Sequence, residues 1–378
     1  MQKIPEVYMD TTLARKLQQV GEAFKLHDPF FSYEEISQGN VNHTYKTNYI
    51  QNDGTGMAVI KSYLVQSVNT YAFKDPVALM ENIDKVTTFM HEQDPEALYL
   101  HYHHTVEGKT YYTDGESFWR ISNFVPAVTF DTCDDIRVVR SAAKAFGDFQ
   151  MRLSTFDARE LVCTIPDFHN TRKRYMTLIS DAEKDPLDRV KDVREELDYL
   201  LSVMDKACLL TDLLEKGELP LRVTHNDTKI NNVLFDPDTH DALLVIDLDT
   251  VMPGLVAHDF GDAVRFAANF TEEDSEHTDK TGLDLNIFWA FADGFLSKTA
   301  SVLTPKEIDT LALSPFVLAC ELATRFLDDY IMGDNYFACK KPGHNLIRTR
   351  CQVALAKDME QKIDAMDALI KSCVEKYR

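Results

Sequence analysis

Between Thr224 and Val251 the chain reads THNDTKINNVLFDPDTHDALLVIDLDTV. His225, Asp227 and Asn232 fall at H-x-D-x-x-x-x-N spacing, and Asp247 follows twenty residues after Asp227. Phosphoryl transfer from ATP asks little covalent work of a protein. It needs a carboxylate that orients the acceptor hydroxyl and oxygen ligands for Mg²⁺. Asp227 supplies the first. Asn232 offers a neutral oxygen and Asp247 a charged one, so these two are the expected metal ligands. Lys229, two residues past Asp227, is placed to touch the transferring phosphoryl group, although a solvated loop lysine fits the same position. Each position alone is weak; their joint spacing carries the reading.

These residues need a scaffold, and the flanking text describes one. Asn232 to Phe235 is a short apolar run, Asp236-Pro237-Asp238 is turn chemistry and Ala242 to Ile246 is a second apolar run. Together they predict a hairpin that places Asn232 and Asp247 at strand ends. Upstream, Ile36 to Tyr45 reads strand, turn, strand, with Gly39, Asn42 and His43 in a turn whose backbone N–H groups could face phosphates. An ordinary hairpin fits the same text. Met57 to Val68 predicts a long strand on which Lys61 is the one lysine, and Pro76 to His91 a helix on which Glu81 is free to pair with it, although two surface residues fit the same positions. Leu98 to His104, Thr110 to Thr113 and Phe118 to Phe124 complete a small antiparallel sheet that stops at Pro126. Adenine is expected beside Phe124, on the connection that follows.

From Asp134 onward the periodicity turns helical. Helices are predicted from about Ile136 to Phe156, from Val193 to near Gly217, and over Asn286 to Thr299, Pro305 to Ile331 and Asn345 to Tyr377. The expected fold class is α+β and bilobal. A small β-rich N-terminal lobe, 1–126, binds nucleotide, and a larger, mainly α-helical lobe, 127–378, carries catalysis and acceptor binding.

The length of 378 residues suits two lobes, and 44% apolar residues suffice for two cores. A formal charge of −21 argues against a nucleic-acid partner, which needs clustered Lys and Arg. Seven scattered cysteines without a C-x-x-C pair read as reduced thiols. With no apolar N-terminal core and no run of about 18 apolar residues, they point to the cytoplasm, with no membrane and no obligate protein partner. The tract His101-Tyr102-His103-His104 reads as a solvent-facing strand rather than a metal site.

The stretch His225 to Asn232, taken with Ile246-Asp247-Leu248-Asp249-Thr250, resembles the aminoglycoside phosphotransferase and choline kinase superfamily. Within it the chain is similar to the N-acetylhexosamine 1-kinases, through DLDTVMPG at Asp247 to Gly254, DFGDAVR at Asp259 to Arg265, and Asn69 to Pro76 leading into Met80 to Ile83. The resemblance runs from about Ile36 to Met366. It implies a protein-kinase-like fold and ATP- and Mg²⁺-dependent phosphorylation of the anomeric hydroxyl of N-acetylglucosamine or N-acetylgalactosamine. Asp227 then resembles the catalytic base, Asn232 and Asp247 the Mg²⁺ ligands, and Arg325 and Tyr336 the sugar-contacting residues. Asp259-Phe260-Gly261 spells the DFG of protein kinases but lies thirty-two residues after Asp227, too far to be that metal site. Asp259 and Asp262 are therefore expected to be structural, or to line the acceptor cleft. The resemblance departs at Gln66-Ser67-Val68-Asn69, where the family carries a basic residue before Ile-Asn. Either Lys61 replaces that charge or the phosphate grip is weaker. Two rivals stand beside this reading: a kinase for choline, homoserine or an aminoglycoside, and a catalytically silent pseudokinase.

Overall fold

Tyr45, Thr47 and Tyr49 are buried at alternate positions along one strand, and Tyr63 and Val65 oppose them on the next. That period of two is the mark of an antiparallel pair with one face against a core. The computed structural model describes residues 11–36, 41–52, 54, 55 and 57–378. The chain divides into two units, Met1–Pro126 and Ala127–Arg378. Gly39 lies outside the described residues.

The first unit runs α1 (Thr11–Ala23), β1 (Phe30–Ile36), β2 (His43–Asn52), β3 (Ala58–Val68), α2 (Pro76–Gln93), β4 (Tyr112–Thr113) and β5 (Phe118–Asn123). Its strands form one antiparallel sheet in the order β1-β2-β3-β5-β4. Leu17, Val20 and Phe24 from α1 and the loop after it pack with Tyr45, Tyr49, Tyr63, Val65, Trp119 and Ile121 from the sheet. α2 begins cleanly because Asp75 accepts from the Ala78 N–H (3.0 Å) and Pro76 occupies the first turn, where a missing N–H costs nothing.

The strand expected over Leu98 to His104 does not form. Only the bridge Tyr102↔Ser122 is present, with the His103 N–H donating to the Ile121 carbonyl at 2.8 Å. The outer edge of β5 is divided: Phe118 and Trp119 pair with β4, leaving Ile121 and Ser122 to the histidine tract. Neither neighbour gains a full ladder.

The second unit is mainly helical: α3 (Ile136–Arg152), α4 (Thr171–Lys184), α5 (Arg194–Ser202), α6 (Met204–Ala207), α7 (Leu209–Glu215), β6 (Arg222–Thr224), β7 (Val233–Phe235), β8 (Ala242–Val245), β9 (Met252–Gly254), α8 (Val256–Ala267), α9 (Leu285–Thr299), α10 (Pro305–Leu311), α11 (Ser314–Met332) and α12 (His344–Tyr377). Two short antiparallel pairs, β6 with β9 and β7 with β8, are set among the helices. Phe260, Phe288, Phe291 and Phe295 meet mostly edge to face at the centre of the core. Each such ring contributes roughly 1.5–3 kcal/mol by burial.

The segment predicted as one helix over Pro305 to Ile331 is two helices. Pro315 cannot donate to the preceding turn and its ring clashes with the carbonyl four residues back, so the helix restarts as α11. The stretch from Val193 to Gly217 likewise breaks at Val203 and Cys208 into α5, α6 and α7. All seven cysteines are free thiols. No single helix among the described residues is long and apolar enough to cross a membrane.

Candidate active site

The loop that joins β6 to β7 carries His225 to Asn232, and a buried carboxylate shapes it. Asp259, in the first turn of α8, accepts from the backbone N–H groups of His225 (2.9 Å) and Asn226 (2.7 Å) and from Gln150 Nε2 of α3 (2.7 Å). Its own carbonyl accepts from Thr228 Oγ1 at 2.6 Å. Burial raises the Asp259 pKa despite these donors. The loop is therefore clamped from below by the residue expected to be structural, and the DFG-like text serves as scaffold.

His225 is fully buried, and its two ring nitrogens have distinct partners. Nδ1 lies 3.3 Å from the Asp227 N–H, which donates to it, so Nε2 carries the proton and donates to the Ile246 carbonyl at 2.9 Å. One imidazole thus ties the loop to the end of β8, one residue before Asp247. Asn226 takes a left-handed conformation (φ +64°), tolerated because its side chain bonds locally: Nδ2 donates to the Thr250 carbonyl at 2.8 Å, and Thr224 Oγ1 donates to its Oδ1 at 3.0 Å. β9 must approach this turn closely. A Cβ on Gly254 would collide with Thr224 Oγ1 and press on Asn226 Oδ1.

Asp227 is held at both oxygens. Asn232 Nδ2 donates to Asp227 Oδ2 (3.0 Å) and to its carbonyl (2.8 Å), while Lys229 Nζ lies 3.0 Å from Oδ1. Burial pulls the Lys229 ammonium down, but the carboxylates of Asp227 and Asp262 outweigh it and the pKa lies above the usual lysine value. The Ile246 N–H donates to the Asn232 carbonyl at 2.9 Å, which brings Asp247 beside Asn232. Asp247 itself adopts a left-handed conformation (φ +60°) as the chain turns out of β8. Asp227, Lys229, Asn232 and Asp247 are thus gathered in one place. Asn232 and Asp247 are hard-oxygen donors on adjoining backbone, and among the described residues no group of three or more His, Cys, Asp or Glu could hold a metal ion. A two-ligand protein contribution suits Mg²⁺, which keeps waters and phosphate oxygens in its shell.

Polar groups continue away from Asp227 along α8, α4 and α11. Asp262, brought low by Arg265 and Lys229 against the pull of burial, accepts from Arg265 at 2.9 and 3.1 Å. The His258 ring lies tilted beside that of His169 (ring centroids 4.7 Å apart), and His169 Nδ1 donates to Glu321 Oε1 at 2.9 Å. One turn after Glu321, the Arg325 guanidinium lies 5.2 Å from the Phe337 ring and 5.8 Å from Tyr336. Arg174 faces it: burial first, and the charge of Arg325 next, lower the Arg174 pKa. Among the described residues neither Arg174 nor Arg325 has an ion-pair partner. Arg174 and Gln150, absent from the sequence expectations, carry no local spacing signal that could have announced them.

In the first unit, Lys61 and Phe124 line one open cavity of about 680 Å³, together with Lys46, Ser62, Asn123 and Pro126. Lys46 was not anticipated; its Nζ sits 4.6 Å from the Phe124 ring centroid and 2.6 Å from Glu34 Oε1. Asn42 and His43 lie elsewhere. His43 pairs with Ser67 and Lys61 with Tyr49, six positions apart on β3, which is about 20 Å of strand. Lys61 therefore cannot replace a charge at Ser67. Nor does it pair with Glu81: both side chains are exposed, and Lys61 lies over Tyr63. The buried cation next to α2 is Arg120, whose Nε donates to Gln66 Oε1 at 2.9 Å and whose Nη1 lies 3.8 Å from Met80 Sδ.

Residues 32–293 match the phosphotransferase enzyme family (APH). Solved structures with the same fold include an aminoglycoside phosphotransferase from Alicyclobacillus acidocaldarius, at TM-score 0.60 and 14% identity over 95% of this chain and 96% of that one. A spectinomycin phosphotransferase in complex with ADP and spectinomycin aligns at TM-score 0.54 and 14% identity, over 91% and 98%. A choline kinase from Cryptosporidium parvum aligns at TM-score 0.55 and 13% identity, over 95% and 99%.

Proposed function

The chain belongs to the phosphotransferase enzyme family, and on that premise we propose that it transfers the γ-phosphoryl group of ATP to the anomeric hydroxyl of an N-acetylhexosamine, giving the sugar 1-phosphate. The 1–126 unit takes the nucleotide, with Lys61, Phe124 and Lys46 at its cavity. The ADP held by the spectinomycin phosphotransferase supports that donor. Asp227 orients the acceptor oxygen for in-line attack, and Asn232 and Lys229 hold its carboxylate in a fixed rotamer. Positioned acid–base help of this kind is typically worth roughly 10²–10⁴ in rate. Lys229, kept protonated by its carboxylate neighbours, faces the charge that develops on the transferring group. Asn232 and Asp247 would hold Mg²⁺, which when bound neutralises phosphate oxygens.

One observation favours a neutral sugar over a cationic alcohol. Arg174 and Arg325, close enough for one charge to depress the other, stand without an ion-pair partner among the described residues beside Tyr336 and Phe337. Such a wall repels the ammonium of choline or an aminoglycoside, whereas guanidinium forks and a phenol direct hydrogen bonds to hydroxyls and an acetamide carbonyl. The test is incubation with ATP, Mg²⁺ and a panel of N-acetylhexosamines, hexoses, choline, homoserine and an aminoglycoside. An acid-labile sugar 1-phosphate that disappears in the Asp227→Asn variant, with ATP binding retained, is the expected result. Phosphorylation of a cationic alcohol alone would overturn the sugar reading, and full activity of Asp227→Asn would remove that residue from its role.

A further inference from the structure

Tyr336 is 75% exposed and sits on a loop, a poor place for a ring that must meet a ligand in one orientation unless something fixes the loop. Asp329, on the last turns of α11 and buried, does so. Its Oδ1 accepts from the N–H groups of Asn335 and Tyr336, both at 2.8 Å. Its Oδ2 accepts from the Phe337 N–H at 2.9 Å and from Asn345 Nδ2 of α12 at 2.8 Å. A carboxylate that gathers successive backbone N–H groups in this way sets the path of the loop as well as its attachment. Asn345 also donates to Asp334 Oδ1 (2.9 Å), and Arg189 ties Asp334 Oδ2 (2.8 Å) and the Tyr330 carbonyl (2.6 Å) to the same corner. The result is aromatic packing: Tyr336 edge-on to Phe337 at 4.8 Å, Phe337 against Phe326 at 4.7 Å, and Arg325 over both loop rings.

We infer that Asp329 is a positioning residue of the acceptor site, acting through Tyr336. This rests on the reading above that Tyr336 and Arg325 meet the acceptor. Asp329 touches no reacting atom; it fixes the Tyr336 loop before the acceptor arrives, so that binding does not have to order that loop. Its four donors leave no acceptor capacity to spare for a ligand.

The inference is tested by a double-mutant cycle, Asp329→Asn and Tyr336→Ala, in the full chain, with KM measured separately for ATP and for whichever alcohol of the panel the native enzyme phosphorylates best. An amide at 329 turns an N–H toward other N–H groups. Acceptor KM is expected to rise about tenfold while ATP KM stays within about twofold. In the Tyr336→Ala background the same change is expected to add little, because the residue it acts through is gone. Additive effects, or equal losses for ATP and acceptor, would mean general damage to the fold and overturn the inference. If Asp329→Asn does not fold, Asn345→Ala, which removes one of the four donors, is expected to raise acceptor KM alone by a smaller factor; an unchanged acceptor KM there counts against the inference. A cationic alcohol as best acceptor would sink the sugar reading, yet the cycle on that alcohol would still decide the role of Asp329.

Discussion

Asp259 holds the 225–232 loop through two of its backbone N–H groups and anchors itself on Gln150, and that gives the residue a measurable role distinct from the one proposed for Asp227. In Asp259→Asn the amide NH₂ must face at least one of the N–H donors from His225, Asn226 or Gln150. A buried donor left unmatched costs about 1–3 kcal/mol. The variant is expected to lose about that much stability in urea titration and also to lose kcat, because the turn that aims Asp227 relaxes. Native stability with intact kcat would refute the clamp. That Asp227, Asn232 and Asp247 would be brought near one another was legible in the sequence because hairpin geometry ties residues so near in the chain. Gln150 reaches Asp259 across 109 positions, and Arg174 faces Arg325 across two helices, so neither leaves a spacing to read. The expected Lys61–Glu81 pair failed for the opposite reason: the strand and helix were placed correctly, but which face each side chain takes depends on packing against α2, where Arg120 won the buried position.

Helices with one apolar stripe were read to within a few residues, as for α2, α3, α9 and α12. α4 and α8 carry no such readable stripe, for different physical causes. α4 buries only Thr171, Tyr175 and Leu178 among charged residues, so its periodicity is faint. α8 is buried almost all round and mixes His258, Asp259, Asp262 and Arg265 with apolar residues, which erases the stripe. Its close seat explains Gly261: a Cβ there would stand 2.7 Å from the backbone of Ser314 at the start of α11. Backbone cannot yield as a flexible side chain does. Gly261→Ala is therefore expected to push α8 off α11 and to destabilise by about 1–3 kcal/mol, although alanine favours an isolated helix. A thermal unfolding midpoint at or above that of the native protein would show that the approach is not tight.

At the scale of the whole molecule, three groups of the second unit shape the response to acid, His258 and Glu321 buried and Asp328 half-buried, and the raised carboxyl of Asp259 adds to the effect of Asp328. Burial holds His258 down to about 3, so between about pH 6.5 and 3 the unfolded chain binds a proton that the folded one refuses, and stability falls as pH drops. Asp328 runs the other way. Burial, reinforced by Asp181, pushes it up to about 6, so on acidification from about pH 6 to 4 the folded chain takes its proton first and gains stability. Glu321 resists burial through His169 and is held at about 2; its contribution is complete above the unfolded glutamate value of about 4.3 and is lost as pH falls toward 2. Each group changes stability by about 1.4 kcal/mol per pH unit within its own window. His258 and Asp328 therefore offset each other from about pH 6 to 4, and below about 4 His258 and Glu321 act together. Urea midpoints measured across pH are expected to stay nearly level from 6 to about 4 and then drop steeply. Asp328→Asn removes one compensating group without touching His258 and leaves only Asp259 to oppose it, so in that variant stability is expected to fall more steeply between about pH 6 and 4 than in the native protein; an unchanged profile would mean that Asp328 does not carry the offset.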